Sequence, residues 1–293
     1  ASGRRLRATR TRRRRWPLAA PDDPDMSRII TIGSQKGGVG KTTIALNLAY
    51  TMGRFGVRTL MVDLDPQSGA SIAVNLRNFT ELGVVDALLG YCSVDDILAE
   101  SRDGALAVAG IGRVLPERIP HYEQAAWDGR LTRMIGEMAS GYQYVVLDAP
   151  AGLGGVVQAA LKASHGALLV ANCSAITLKS AMSFLKLVDH IAENSNHELV
   201  LEGVLLSMVD KRSETESAIF GELREVLPEE AVLETVVPYS EKLAQAGYQA
   251  LPVSLLDDAD ELNRLFNDLA RELRERERGQ QQAEQSDESR QLF

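Results

Sequence analysis

The most constraining stretch of this chain is GSQKGGVGKTT, residues 33–43, because it directly follows the apolar run RIITI, residues 28–32. An apolar, β-branched run that enters glycines and then a lysine and two threonines has the order strand, loop, helix start. A helix entered this way presents unpaired N–H groups and a positive dipole end, which suits an anion. Gly37, Gly38 and Gly40, with Val39 among them, let the backbone approach phosphates that a Cβ would hold off. The P-loop pattern asks for a glycine, four free positions and then Gly-Lys-Ser/Thr. Gly40, Lys41 and Thr42 supply its second half, whereas Gln35 stands where the first glycine belongs. In this pattern Lys41 reaches the β- and γ-phosphates of a nucleotide and the Thr42 hydroxyl ligates Mg²⁺. The variant also carries a second lysine, Lys36, on the far side of the glycines.

Two acidic strand ends support a phosphate chemistry. LMVDLDPQ, residues 60–67, and YVVLDAP, residues 144–150, place Asp63, Asp65 and Asp148 at the carboxyl ends of apolar runs, where open α/β sheets bind ligands. A carboxylate there can hold magnesium through water, and another can orient an attacking water. The metal set expected is Thr42, Asp63 and Asp148. Each aspartate alone would serve as the cap of a turn; with the loop they make a nucleotide hydrolysis site.

Short apolar runs alternate with amphipathic ones along the rest of the chain, as in βαβ units. Strands are expected at 29–32, 57–63, 105–110, 142–148, 166–172, 199–209 and 231–237. Helices are expected after the glycine loop, in two short pieces within 83–100, and at 130–139, 154–163, 181–193 and 217–227. The first helix should bury Ile44, Leu48, Ala49 and Met52, and the last Leu262, Leu265, Phe266, Leu269 and Leu273. The fold class is α/β: a mainly parallel twisted sheet with helices on both faces. Residues 26–278 are expected to form one domain, followed by a disordered polar tail over 279–293. The net charge of −8 conceals a basic start, since residues 1–25 hold eight arginines and three aspartates. Its arginines could bind phosphate backbones, but Met26 stands just before the first strand, so the segment is expected to be a disordered basic extension, either upstream sequence or sequence foreign to the native protein. No run of eighteen apolar residues and no secretory pattern occurs, so the expected compartment is the cytoplasm. Cys92 and Cys173 lack a CxxC spacing, and His121, His165, His190 and His197 lack ligand spacing, which argues against a zinc site or a disulfide framework.

KGGVGKTT resembles the deviant Walker A motif of the ParA/MinD ATPases, within the SIMIBI class of P-loop proteins. The resemblance runs from about Arg28 to Glu277 through VDLDPQ, LDAPAGL, LLSMVD and TVVPYSEKLAQAG. It implies ATP and Mg²⁺ as cofactors and an ATP-dependent homodimer, in which Lys36 reaches the phosphates bound by the partner. It further implies that Asp65 positions the hydrolytic water, that Asp148 supports magnesium, and that Thr43 contacts the α-phosphate. Asp210 and Pro238 would lie near adenine. Hydrolysis would be slow until a partner completes the site.

Within that family the chain most resembles ParA-type proteins, which bind DNA nonspecifically and position a cargo with a ParB-like activator. Where many of them carry PRNVRLSEAPS, this chain has PYSEKLAQAGY, residues 238–248. The candidate DNA contacts left are Lys211, Arg212, Arg224 and Lys242, each of which also fits a solvated surface charge. A second expectation is a MinD-like or flagellar-number regulator, since DAPAGLG resembles that branch. The polar C-terminus carries no basic amphipathic anchor, so membrane contact would need another protein. An iron–sulfur delivery ATPase would need paired cysteines that this chain does not have.

Overall fold

The structure, a computed structural model, describes residues 27–67, 81–173, 175–210, 212–213, 221, 227 and 231–291. Its strands are β1 (Arg28–Ser34), β2 (Thr59–Asp63), β3 (Leu98–Glu100), β4 (Ala107–Ala109), β5 (Tyr144–Ala151), β6 (Gly166–Asn172), β7 (Val200–Val209) and β8 (Val232–Pro238). They form one sheet in the order β3-β4-β2-β5-β1-β6-β7-β8. Every pairing is parallel except β3 with β4. The helices are α1 (Lys41–Arg54), α2 (Val84–Leu88), α3 (Ile119–Trp127), α4 (Arg130–Ala139), α5 (Gly155–Ala163), α6 (Ala175–Asn194), α7 (Glu241–Tyr248) and α8 (Asp260–Gln291).

The sheet separates two cores by the period-two alternation of its side chains. Ile30, Ile32, Met61, Tyr144 and Val146 face α1 and α8, packing with Leu48, Phe266 and Leu269. Ile29, Leu60, Val62, Val145 and Leu147 face the other way, toward Tyr122, Ile135 and Val156. Strands buried on both sides need apolar residues at nearly every position, which is why they stood out as continuous runs. The residues expected inside α1 are all buried, and α8 buries Leu262, Phe266, Leu269 and Leu273.

Three elements differ from expectation. Residues 98–100 form an antiparallel edge strand rather than the end of a helix, because Ala99 aligns with Val108 of β4. Helix α3 was not anticipated; IPHYEQAAW buries just Tyr122, Ala125 and Ala126, too sparse a pattern for a clear helical stripe. Helix α8 continues to Gln291, through the segment expected to be a structureless tail. Its Gln, Glu, Arg and Ala residues are good helix formers, and no proline interrupts them. The helix expected over 217–227 lies, apart from Gly221 and Leu227, outside the described residues, as does the segment 1–25.

The two ends of the sheet are chemically unlike. At the base, Arg28 of β1 forms an ion pair with Glu202 of β7 and lies 3.5 Å from Glu277 of α8. The Tyr144 hydroxyl donates to Glu277 at 2.8 Å, so α8 is tied to the starts of three strands. Along the β8 edge, Glu272 of α8 accepts the N–H groups of Glu234 and Thr235 at 2.7 and 3.0 Å. A groove of about 960 Å³ runs there, lined by Arg264, Asp268, Arg271, Glu272 and Arg276 among others, and it shares no lining residue with the glycine loop.

Near the end of α1, Gly53 is pressed against the chain entering β4. A Cβ there would sit 1.7 Å from the Ala105 carbonyl oxygen, a backbone atom that cannot rotate aside. Alanine would gain about 1 kcal/mol of helix propensity, against an overpacking cost of about 1–3 kcal/mol or more for a clash this close. Gly53→Ala is therefore expected to lower the urea midpoint. A raised midpoint would show that the β4 approach yields freely.

Candidate functional site

β1, β2 and β5 bring their carboxyl ends together where the strand order reverses around β1. At the end of β1 the Ser34 hydroxyl donates to the Lys36 carbonyl at 2.5 Å and turns the chain into the loop. Gly38 and Gly40 have φ of 74° and 87°, in the left-handed region that disfavours residues with a Cβ. A Cβ on Gly37 or Gly38 would meet nothing within 4 Å. Packing therefore does not require these two glycines, and the open space in front of them is what a phosphate would use. From β7 the buried Ser207 hydroxyl donates to the Val39 carbonyl at 2.6 Å and braces the loop.

Helix α1 starts at Lys41 with no acidic residue in its first turn, leaving its positive end uncompensated. Lys41 is 7 % exposed, unusual for a lysine. Lys36 is half-buried on the other side of the glycines. The Thr42 hydroxyl donates to Asp148 Oδ2 at 2.5 Å. Asp148 is completely buried, and its Oδ1 has no hydrogen-bond partner. Asp63 lies opposite Asp148 in the β2–β5 register. Burial, reinforced by the neighbouring Asp63, pushes the Asp148 carboxyl up to about 8, while Thr42 and Lys41 pull it down.

Asp65 follows in a tight turn: its N–H donates to Asp63 Oδ1 at 3.0 Å, and its own Oδ1 accepts the Gln67 N–H at 2.9 Å. Among the described residues no three His, Cys, Asp or Glu side chains converge into a metal cage. That fits Mg²⁺, which binds through one or two carboxylates together with phosphates and waters. The unpartnered Asp148 oxygen beside the Thr42 hydroxyl is the donor pair such an ion would use.

On the other flank of α1, a cavity of about 90 Å³ is lined by Val39, Thr43, Met208, Pro238, Tyr239 and Leu243, among others. Pro238 thus shares a cavity with the loop residues Val39 and Gly40. Asp210 instead accepts from the Arg212 backbone and guanidinium, both at 3.0 Å, and is not part of the cavity lining. Met208 holds a left-handed φ of 55°, which for a side chain of this size costs energy and singles out the β7 exit. The Lys242 ammonium donates to the carbonyls of Asp257 and Asp258. Lys211 and Arg224 lie outside the described residues, so of the four basic candidates Arg212 and Lys242 are seen, each in a local contact.

Residues that carry no motif of their own also build the site. Ser207 stands inside LLSMVD, residues 205–210, where nothing local marks the serine as a brace for the loop. Tyr122, whose hydroxyl donates to the Leu64 carbonyl at 2.9 Å, comes from the unanticipated α3 and had no local signal.

Residues 27–201 match a protein family described as an AAA domain. The chain is 30 % identical over 253 residues to the sporulation initiation inhibitor protein Soj of Bacillus subtilis, covering 85 % of this chain and 98 % of that one. It is 30 % identical over 254 residues to the chromosome partitioning protein ParA of Myxococcus xanthus, covering 86 % and 89 %. Among solved structures, the septum site-determining protein MinD of Pyrococcus horikoshii, complexed with Mg-ADP, superposes with a TM-score of 0.67 at 22 % identity, covering 83 % and 96 %.

The raised Asp148 carboxyl has a consequence for stability. An unfolded aspartate titrates near about 3.9, so the folded chain binds this proton more tightly than the unfolded chain does. The stability from this group is fully present below about pH 4 and is lost as pH rises toward about 8. Asp148→Asn should therefore be more stable than the parent at pH 8 by at least about 1 kcal/mol, the worth of one pKa unit. Urea unfolding of nucleotide-free protein at the two ends of this range checks it, and matching profiles would refute the cost assigned to the ionised carboxylate.

Proposed function

The chain belongs to the ParA/MinD family of P-loop ATPases, and on that premise we propose that it is a Mg²⁺-dependent ATPase switch. It dimerises on binding ATP and positions DNA or another cellular cargo from the cytoplasm. The observation that carries this reading is the Thr42–Asp148 hydrogen bond at the foot of the glycine loop, with the second Asp148 oxygen left unpartnered. The catalytic unit is the body of the chain, residues 26–278.

In this reading the loop N–H groups and Lys41 hold the β- and γ-phosphates of ATP, and Thr43 contacts the α-phosphate. The base lies toward Pro238, with Asp210 nearby. Thr42, Asp63 and Asp148 would hold Mg²⁺. Charge developing on the phosphate oxygens is neutralised by that ion when it is bound. Asp65 orients the attacking water. Lys36 serves the nucleotide of the partner subunit, which accounts for two lysines on one loop. Turnover is slow alone and rises when an activating protein, ParB-like in role, completes the site; trans-acting groups elsewhere are worth roughly 10³–10⁵ in rate. The name of the ParA relative supports chromosome partitioning as the cellular setting.

One observation favours a second reading, a MinD-like or flagellar-number regulator whose cargo is a protein. Tyr239, just before α7, is 65 % exposed where many ParA-type relatives carry the first arginine of that segment, and Tyr248, the last residue of α7, is 93 % exposed. Exposed tyrosines of this kind are enriched at protein interfaces.

Lys41→Ala should weaken ATP binding by roughly 10–100-fold, the worth of a charge-assisted contact; retained affinity contradicts the phosphate assignment. Lys36→Ala should bind ATP normally yet fail to dimerise with it, and a normal dimer defeats the in-trans role. Asp65→Ala should accumulate as an ATP-bound dimer, so unaltered turnover removes it from the water-positioning role. Duplex DNA binding by protein starting at Met26, with ADP, ATP or a nonhydrolysable analogue across a salt series, separates the two readings. ATP-gated binding that falls steeply with salt supports DNA as the track. An ATP-dependent dimer without DNA affinity supports the protein-directed regulator.

A further inference from the structure

Leu64 lies one residue past β2, beyond the strand's own ladder, and separates Asp63 from Asp65. Its N–H donates to the Asp148 carbonyl at 3.0 Å, and its carbonyl accepts the Tyr122 hydroxyl at 2.9 Å. The next N–H along, that of Asp65, donates to Asp63 Oδ1 at 3.0 Å. The Leu64 carbonyl and the Asp65 N–H belong to one planar peptide unit, and no cis peptide occurs among the described residues, so the two groups point in opposite directions. One edge of that plane is thus anchored to Tyr122, and the opposite edge is held by the Asp63 carboxylate. A tilt of the plane would swing both acids together.

Tyr122 is completely buried and packs with Leu64, Ala125, Leu131 and Leu147. A phenylalanine would fill the same apolar space, whereas a buried phenol needs a partner for its hydroxyl. The other end of α3 is fixed as well. The Trp127 ring lies over Gly155, the first residue of α5, where an added Cβ would come within 2.7 Å of Trp127 Nε1. Helix α3 therefore holds the end of β2 and the start of the helix after β5 in one frame.

We infer that Tyr122 is a positioning residue for the reaction: its hydroxyl sets the Leu64–Asp65 peptide plane, and through it the direction in which Asp63 and Asp65 face the phosphates. The inference rests on the ATPase reading above for its catalytic consequence, and on the hydrogen-bond geometry alone for the anchoring. It gives α3, which touches no phosphate-loop residue through Tyr122, a place in the hydrolytic step.

The test is Tyr122→Phe in the full chain, which keeps the packing and removes one oxygen. Hydrogen exchange in nucleotide-free protein should be faster by about 10-fold at the Asp65 and Gln67 amides, the effect of freeing one hydrogen-bonded plane, with α1 amides unchanged. With ATP and Mg²⁺, kcat should fall by about 10-fold or more while KM stays within about 2-fold, the pattern of lost transition-state positioning. A variant with unchanged exchange and unchanged kcat overturns the inference and leaves the hydroxyl a purely structural donor. A raised KM at constant kcat overturns it too, by assigning the anchor to binding. If the parent protein shows no ATP turnover, the ATPase reading fails, and the exchange measurement still decides the anchoring by itself.

Discussion

The Thr42 hydroxyl donates to a carboxylate that has no exposure to water, joining the first turn of α1 to the carboxyl end of β5. Much of the upper sheet is arranged around that contact. β5 must sit beside β1 for Asp148 to lie under the helix that β1 feeds, and β2 must sit on its other side for Asp63 to face it. An ionised aspartate in such a place is costly unless a cation or several donors meet it. Here the protein supplies one hydroxyl and the field of Lys41, and leaves an oxygen unpartnered. The arrangement is poor for a resting fold and suited to a ligand that brings its own charge.

The base of the same sheet solves the same problem differently. Glu202 is just as buried, and burial pushes its carboxyl up to about 7, yet Arg28 pairs with it from the neighbouring end of β1. Tyr144, Glu277 and Arg274 extend the cluster onto α8. Charge there is matched by protein groups and holds the last helix in place. Both ends of the sheet keep an unpartnered buried carboxylate oxygen, Asp148 Oδ1 at the site and Glu202 Oε2 at the base, and it is at the base that guanidinium groups meet the carboxylates.

What could be read from the residues followed from how local the signal was. The glycine loop, Lys41, Thr42 and the three aspartates announce themselves because each sits at a fixed offset from a strand end. Doubly buried strands such as 166–172 and 199–209 show as unbroken apolar runs. The elements that escaped notice depend on distant partners. Leu98–Glu100 becomes a strand because β4 lies beside it, and α3 is helical with three buried side chains that matter through what they touch. Tyr122 and Ser207 act through hydrogen bonds to residues 58 and 168 positions away, a relation no window of sequence contains. Asp210, legible by position, is turned by its neighbour Arg212.

The Glu272 carboxylate on the β8 edge also bears on how copies of this chain can meet. A terminal strand with free N–H groups is a template on which another strand can be laid, and successive copies added that way grow without closing. With the Glu234 and Thr235 donors already taken by a side chain of α8, strand addition at this edge has to expel a carboxylate first. At the β8 edge, growth of the sheet is opposed by a single glutamate. A copy meeting this edge would find side-chain groups of α8 before it found the β8 backbone.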